Sequence, residues 1–471
     1  MIFCKPSIGE CSELKRILKV YEDASGQQLN RAKTSLFFSN NTPSILQEEI
    51  KNSFGAKVIK QHEKYLGLPS LVGKNKKSTF NDIKEKLRKK LTGWKEKLLS
   101  KAGKEILIKA VAQAIPTYSM SCFKLPDSLC EDLTSMIRNF WWGQQQEEKK
   151  MAWVSWEKLC APKACGGMGF KSLKEFNLAM LAKQGWRLQQ KENSLVYNLL
   201  KSKYFPNYEF SEATLGSNPS FTWRSIMAAQ MIVKHGLRWR IGNGERVRVW
   251  GDKWLPMPST YQVTSPRLFL QAETMVCDLI DGDHACWKTE AVDALFLPHE
   301  AEEIKKIPLS SRLPADRQIW ACSPNGVFNV RSAYWVAREM GRPRNFSLGS
   351  DEGRTRKFWT KIWKIQVPHK IRHFTWRACR DVIPTKANLV RRKVLQDDQC
   401  EECHLQAETS NHLFWTCKRA RELWECSKLN TAIYTQPVLL FQRYAMVPIS
   451  GDGEFTGDDS KGGDICMVLM G

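Results

Sequence analysis

The chain has 471 residues, a mass of 54.2 kDa and a net charge of +23, and this length suggests two to four domains. Hydrophobic residues make up 42% of the sequence, with 18 Trp and 21 Phe, which excludes wholesale disorder. So large a positive charge predicts a polyanionic partner, most simply nucleic acid.

Helical patterns dominate the first 140 residues. An amphipathic helix contains Leu14, Ile17 and Leu18, and a basic helix has apolar residues at intervals of three and four across residues 80–98. A third helix stops at Pro116 and a fourth begins at Asp127. The sequence therefore predicts a mainly α fold with small β elements.

Two basic stretches carry most of the net charge. Residues 74–109 hold 13 basic and 4 acidic residues, and residues 354–393 hold 13 basic residues against Asp381 alone. We interpret the lysine-rich face of the first stretch as a track for backbone phosphates, and a merely solvated face is the alternative. That face comprises Lys84, Lys86, Arg88, Lys89, Lys90, Lys95 and Lys97.

The second basic stretch interleaves cations with aromatic residues. Arg372 and Arg377 are candidate contacts to nucleic acid, and aromatic residues such as Trp359 and Trp376 could stack unpaired bases. The alternative is that the aromatic residues form core and only the cations face solvent, because apolar residues here also recur at helical spacing. Either interpretation predicts a positive surface.

One β-hairpin is predicted in the middle of the chain. Residues 238–241 and 246–250 alternate in polarity on either side of Gly242-Asn243-Gly244, and an Asn-Gly pair favours a tight turn. Residues 256–317 are weakly patterned and are expected to form a loosely packed spacer. Residues 426–471 are rich in acids and glycine, which predicts an acidic tail of low order.

A candidate metal site follows the second basic stretch. Cys400, Cys403, His412 and Cys417 have the spacing C-x2-C-x8-H-x4-C. Two cysteines in a tight turn and a His and Cys about one helical turn apart can hold one Zn²⁺ tetrahedrally. Four protein ligands would leave no open position, so the site would be structural. A chance cluster is the alternative, and His404 and Cys426 are possible substitute ligands.

Several motifs together resemble the C-terminal part of the reverse transcriptase of plant LINE-type, non-LTR retrotransposons. They cover residues 1–425 and include Gly166-Gly167-Met168-Gly169-Phe170 and Trp239-Arg240-Ile241-Gly242-Asn243-Gly244. The metal-site residues match the zinc-binding domain of these proteins. The resemblance implies binding of RNA and DNA, a structural zinc ion, and Mg²⁺ only in the intact family enzyme.

The resemblance also implies roles for individual residues near the start of the chain. Lys33 resembles a palm lysine near the incoming nucleotide, and Tyr65, Leu66 and Gly67 resemble a primer grip. The expected domains are a palm remnant at 1–73, a thumb-like region at 74–125, a connection region with the hairpin at 126–330, the zinc-binding domain at 331–425, and the tail at 426–471.

The carboxylates of catalysis depart from the family pattern. Reverse transcription needs an Asp pair that holds Mg²⁺, and the pairs present are Asp397-Asp398 and Asp458-Asp459, neither flanked by suitable strands. We expect no catalytic residue in this chain, which would be a truncated element without polymerase activity. The alternative is an expressed, non-catalytic nucleic-acid-binding protein derived from such an element.

An independent hydrolase or nuclease is disfavoured. The sequence contains no P-loop, no G-x-S-x-G and no H-E-x-x-H motif. No partners with metal-ligand spacing accompany Asp281, Asp283, His284 or His299. No run approaches the roughly 20 apolar residues of a spanning helix, and residues 1–15 lack a signal peptide's apolar stretch. We therefore expect no membrane partner and a location in the nucleus or cytoplasm, where the 15 cysteines are not a disulfide framework.

Overall fold

A computed structural model describes residue 2 and residues 4–426, apart from 31–33, 40, 60–63, 66, 70–71, 74, 95–98, 144–149, 259, 268–270, 272 and 342–351. Lys33, Leu66, Lys95, Lys97, Asp458, Asp459 and the predicted tail beyond Cys426 lie outside the described residues. The chain divides into two compact units, with the division after Asn81.

The fold is mainly α with small β elements, as the sequence predicts. The helices are α1 Ile8–Ser25, α2 Ser44–Phe54, α3 Lys76–Thr79, α4 Asn81–Gly93, α5 Lys101–Leu107, α6 Thr117–Met120, α7 Asp127–Trp142, α8 Trp156–Leu159, α9 Leu173–Gln189, α10 Leu195–Tyr204, α11 Phe221–Met227, α12 Gln230–Gly236, α13 Thr289–Leu295, α14 Pro298–Lys305, α15 Val330–Met340, α16 Glu352–Lys364, α17 His369–Cys379, α18 Lys386–Arg391 and α19 Lys418–Cys426. The strands are β1 Ser35–Leu36, β2 Lys57–Val58, β3 Lys64–Tyr65, β4 Leu68–Pro69, β5 Leu237–Arg240, β6 Ile280–Asp281, β7 Cys286–Trp287 and β8 Arg317–Trp320. No described helix has the length and apolar character that a bilayer crossing requires.

The first unit is built on α1 and α2, which pack together. Ser7 caps α1 by accepting a hydrogen bond from the Glu10 N–H, and Gly26 ends it with a φ of 67°, a conformation that glycine adopts without steric cost. Strands β1 and β2 pair in parallel. Strands β3 and β4 pair antiparallel around Gly67.

Helix α9 organises the core of the second unit. It packs against α6, α7, α11, α12 and α15. Leu133 and Ile137 of α7 and Leu181 of α9 are fully buried, and burial of such side chains contributes about 1.5–3 kcal/mol each. The basic helix α4 buries Ile83, Leu87 and Leu91 on one face. The inward face of α4 is the one that the helical spacing predicts.

The predicted hairpin at 238–250 does not form. Strand β5 pairs antiparallel with β8, so that Leu237 lies opposite Trp320, and Arg248 forms an isolated bridge with Met275 instead. The carboxylate of Asp316, which is 4% exposed, accepts hydrogen bonds from the N–H groups of Gly242, Gly244 and Arg246 at 2.7–3.0 Å. These bonds satisfy backbone donors that a hairpin ladder would otherwise use.

The predicted spacer at 256–317 is wrong as well. Residues from this region complete a hydrophobic core with the segment that follows β5. The buried contributors include Val276, Leu279, Trp287, Val292, Phe296 and Ile304. Short strands and short helices give a weak periodic signal, which is why the sequence pattern did not reveal this packing.

Candidate metal centre and nucleic-acid surface

The structure brings together the four residues of the candidate metal site. The ligand atoms of Cys400, Cys403, His412 and Cys417 all lie within 4.8 Å of one another. Three thiols and one imidazole are the donor set of structural zinc sites. Cys400, His412 and Cys417 are buried, and Cys403 is half-buried, so water has little access to the centre of the cluster.

Two backbone turns position these ligands. Cys400 and Cys403 lie in a turn closed by the bridge between Gln399 and Ala407 and by a 2.9 Å hydrogen bond from the Cys400 N–H to the Gln406 carbonyl. His412 begins a π-helical turn, His412–Thr416, whose last hydrogen bond runs from the Cys417 N–H to the His412 carbonyl at 2.9 Å. This wider turn takes the place of the predicted α-helical turn.

Hydrogen bonds to the side chains prepare the cluster for a metal ion. Nδ1 of His412 lies 3.1 Å from both Gln406 Oε1 and Thr416 Oγ1, which fixes a proton there and leaves Nε2, 3.2 Å from Cys403 Sγ, as the ligand atom. Burial lowers the pKa of His412 and favours its neutral form. The Leu405 N–H lowers the pKa of the Cys403 thiol, whereas burial raises that of Cys400.

The substitute ligands lie outside this cluster. His404 is exposed and has a φ of 52°, and Cys426 is exposed at the end of α19. Asp281 and His284 form an exposed pair at 2.8 Å within one turn. In the described part of the chain, the group at 400–417 is the one whose ligand atoms converge in this way.

Aromatic packing joins the metal cluster to the helices around it. The Trp424 indole N–H donates to the Phe414 carbonyl at 2.7 Å, and its ring stacks on Trp415 with centroids 5.0 Å apart. Phe414 meets Phe374 of α17 edge to face at 6.0 Å. These contacts connect the metal cluster to α17 and α19.

The lysine-rich face of α4 is only partly neutralised. Lys84 forms a salt bridge with Asp132 at 2.9 Å, and Arg88 pairs with Glu85 at 2.7 Å. Lys86, Lys89 and Lys90 are exposed, and none of the three forms a salt bridge within the described residues. They are the cations of this helix that remain available to phosphate groups.

Arg372 and Arg377 of α17 occupy different environments. The Arg372 guanidinium donates to the carbonyls of Val367, at 3.0 Å, and Trp363, at 3.5 Å, so it closes the connection between α16 and α17. Arg377 is half-buried and lines a cavity. Burial lowers its pKa, since no carboxylate in the described chain pairs with it. Trp359 and Trp376 are buried, as the core interpretation predicts.

A buried charge cluster is the main feature that the sequence did not reveal. Glu105 of α5 contacts Lys109 at 2.6 Å, Lys163 at 2.8 Å and His373 Nε2 at 3.1 Å. Burial alone would raise the pKa of Glu105, but the hydrogen bonds from His373 and the two lysines outweigh it and lower the pKa. Residues 105 and 373 are too far apart in sequence for local patterns to indicate the pair.

Comparison with known proteins agrees with this geometry. The family described as zinc-binding in reverse transcriptase matches residues 328–424. A protein of Arabidopsis thaliana named "Putative ribonuclease H protein" is 31% identical over 363 residues, which are 76% of this chain and 57% of that protein. An uncharacterized mitochondrial protein of the same plant is 42% identical over 150 residues, 31% of this chain and 97% of its own length.

The helical fold, the Cys and His cluster and the matching family define a protein with a reverse transcriptase zinc-binding domain. The chain belongs to the plant retrotransposon-derived proteins related to reverse transcriptase, the family that its motifs indicated. It spans little more than half the length of the first of these relatives. The family match and the cluster together point to zinc as the metal.

Proposed function

We propose that this chain is the nucleic-acid-binding and zinc-binding part of a LINE-type retrotransposon reverse transcriptase. The observation that carries the proposal is the face of α4, where Lys86, Lys89 and Lys90 are exposed and unpaired among the described residues. Cations so arranged can neutralise successive phosphates of RNA or DNA. The expected domain bounds and the primer-grip role of Tyr65 and Gly67 belong to this proposal.

The zinc ion would be structural in this proposal. Cys400, Cys403 and Cys417 would bind through sulfur and His412 through Nε2, so the four protein ligands leave no position for a substrate. A metal that binds only the folded site contributes its binding free energy to folding. The ion would hold together the two turns that carry α19 and the aromatic residues beside α17.

The chain by itself is proposed to lack polymerase activity. Asp397 is exposed and accepts a hydrogen bond from the Gln399 N–H at 3.1 Å, and Asp398 follows it outside any strand. This pair has no strands around it that could aim both carboxylates at two Mg²⁺ ions. Mg²⁺ would then belong to the intact family enzyme, and the alternative of a non-catalytic nucleic-acid-binding protein shares the same binding surface.

The test is the salt dependence of nucleic-acid binding. For binding of a 12-nucleotide RNA by the full chain, log Kd should rise linearly with the logarithm of the salt concentration. The slope should be roughly 0.7 per phosphate contact. Replacing Lys86, Lys89 and Lys90 with Gln should reduce the slope by about 2, because three contacts are lost.

The matched control removes the same charge elsewhere. Lys57, Lys183 and Lys203 are exposed lysines on other elements, and their replacement with Gln should leave the slope within about 0.5 of the wild-type value. Equal slopes for both triple variants would mean that the α4 face is only a solvated surface. Failure of the wild-type chain to bind any nucleic acid would refute the proposal as a whole.

A further inference from the structure

Two adjoining cavities in the second unit share a wall. The inner cavity has a volume of about 170 Å³ and is lined by the half-buried Trp142 and Trp153 and the buried Trp141 and Trp376. The outer cavity, of about 480 Å³, also contains Trp153 and adds Trp156. We call the two cavities together the tryptophan groove. Val382 lines both of them as well, so they are neighbours on one surface.

The inner cavity has the volume for one aromatic ring. A buried apolar cavity of about 150 Å³ is enough to bind benzene, and the inner cavity is slightly larger. Lys101, Lys150 and Arg377 stand among its indoles. A flat aromatic ring attached to a negatively charged group fits this combination of aromatic side chains and cations.

Cations dominate the outer cavity. Arg138, Lys158, Arg380 and Arg392 line it, and among the described residues no carboxylate lines either cavity. Arg380 and Arg392 donate to backbone carbonyls, those of Gly166 at 2.8 Å and Trp153 at 3.1 Å. The salt bridges of the described residues include none of these four cations, so no described carboxylate neutralises their positive charge.

Three of the tryptophans that line the cavities carry a buried indole N–H. Trp141, Trp142 and Trp156 each have a buried indole N–H without a partner in the described part of the chain. Buried polar atoms in proteins are almost always hydrogen-bonded, so each exception needs an explanation. These nitrogens have almost no accessible surface, so a ligand in the cavities would reach them only if the indoles moved.

We propose that the tryptophan groove binds a single-stranded polynucleotide, with one unpaired base in the inner cavity and the adjoining phosphates against the arginines of the outer cavity. Stacking on aromatic rings between cations is the usual way in which proteins hold single strands. A duplex cannot place a base there without unpairing it. This inference rests on the proposed function, because it gives a specific site to a chain already proposed to bind nucleic acid.

The glycine-rich turn next to the groove supports its outer wall. The Gly166 carbonyl accepts hydrogen bonds from the Trp376 indole N–H at 2.9 Å and from Arg380 Nε at 2.8 Å. A Cβ on Gly167 would lie 2.1 Å from the Ala161 carbonyl oxygen, so only glycine allows the turn to close. The turn therefore holds one aromatic and one cationic member of the groove in place.

The experiment measures the affinity of the full chain for four probes, each used either with a fluorescent label or as an unlabelled competitor. They are a 12-nucleotide oligo-U, a 12-nucleotide oligo-dT, a 12-base-pair duplex, and inorganic polyphosphate, which has no bases. Trp153→Leu removes the indole that both cavities share, and it should weaken binding of both single strands about tenfold, the effect of losing one base stack. Duplex binding should change less than twofold.

A second variant guards against misfolding of the first. Arg377→Gln should also weaken single-strand binding several-fold while circular dichroism and zinc content remain those of the wild type. Trp335→Leu and Arg331→Gln are the controls, since Trp335 is half-buried and Arg331 exposed outside the groove. Both control variants should bind like the wild type.

The outcomes separate this inference from the proposed function. If the chain binds both single strands and duplex but Trp153→Leu and Arg377→Gln bind single strands normally, the groove is not the site and the proposed function stands. If polyphosphate competes as well as oligo-U at equal phosphate concentration, bases are not recognised and the inference is wrong. If the wild-type chain binds none of the probes, both proposals fail.

Discussion

Replacing Glu105 with Gln should destabilise the second unit strongly. The Glu105 side chain is only 9% exposed and neutralises Lys109 and Lys163, with His373 as a third neighbour. Removing one partner of a buried ion pair leaves the opposite charge without a counter-charge, which costs about 3–5 kcal/mol. We expect a loss of at least about 3 kcal/mol in the free energy of unfolding at pH 7, measured by urea denaturation with tryptophan fluorescence.

The effect of Glu105→Gln should depend on pH. The folded-state pKa of Glu105 lies below the unfolded value of about 4.3. Its contribution to stability is therefore complete above about pH 5 and is lost as the pH falls through the folded-state pKa. When the urea series is repeated from pH 6 down to pH 3, the stability difference between wild type and variant should stay constant to about pH 5 and shrink steadily below it.

The control is a carboxylate in an exposed pair. Glu131 contacts Lys174 at 2.6 Å, but its side chain is 65% exposed, and exposed salt bridges contribute about 0–1 kcal/mol. Glu131→Gln should cost less than about 1 kcal/mol at every pH. Equal stability losses for Glu105→Gln and Glu131→Gln at pH 7 would refute the reasoning that the buried cluster holds α5, α17 and the turn at Lys163 together.

Three further predictions concern the ligands, the buried thiols and the Asp316 turn. Loss of a ligand should abolish stoichiometric zinc binding and lower the melting temperature in each of the variants Cys400→Ser, Cys417→Ser and His412→Ala. The control variants Cys426→Ser and His404→Ala should retain zinc by metal analysis. Equal loss of zinc in all five variants would mean that the ligands are other residues. Burial raises the pKa of Cys130 and of Cys160 to about 12, so both thiols should react slowly with iodoacetamide at pH 8. Mass spectrometry should find the exposed Cys165 and Cys286 alkylated well before Cys130 and Cys160. Asp316→Ala should cost about 3 kcal/mol or more in urea denaturation because three backbone N–H groups lose their acceptor, while Asp283→Ala on an exposed turn should cost less than about 0.5 kcal/mol.

Local signals predicted the parts of the structure that local forces determine. Asp127 begins α7 because an apolar stripe follows directly after a proline, and the metal cluster was predictable because its ligands lie within 18 consecutive residues. The spacing could not show that the turn before Cys417 is π-helical. The structure shows it in the 2.9 Å hydrogen bond from the Cys417 N–H to the His412 carbonyl.

Long-range pairings were beyond the sequence pattern. The strand at 237–240 has the alternation of a hairpin, but its partner lies at 317–320, since Asp316 offers a buried acceptor to the loop that the hairpin turn would have occupied. Glu105 and His373 are 268 residues apart, and each looks like an ordinary helix residue in sequence. Tertiary contacts of this kind override local propensity.

Metal analysis of the full chain tests whether zinc holds the cluster at residues 400–417 together. The chain should be purified from zinc-replete buffer, desalted, and measured by inductively coupled plasma mass spectrometry against protein concentration. About one zinc per chain is expected, and less than about 0.2 for Cys400→Ser, because this variant loses one of the four ligands that close the site. A folded wild-type chain with less than about 0.2 zinc, under conditions in which a structural site would be filled, would show that these residues pack without a metal.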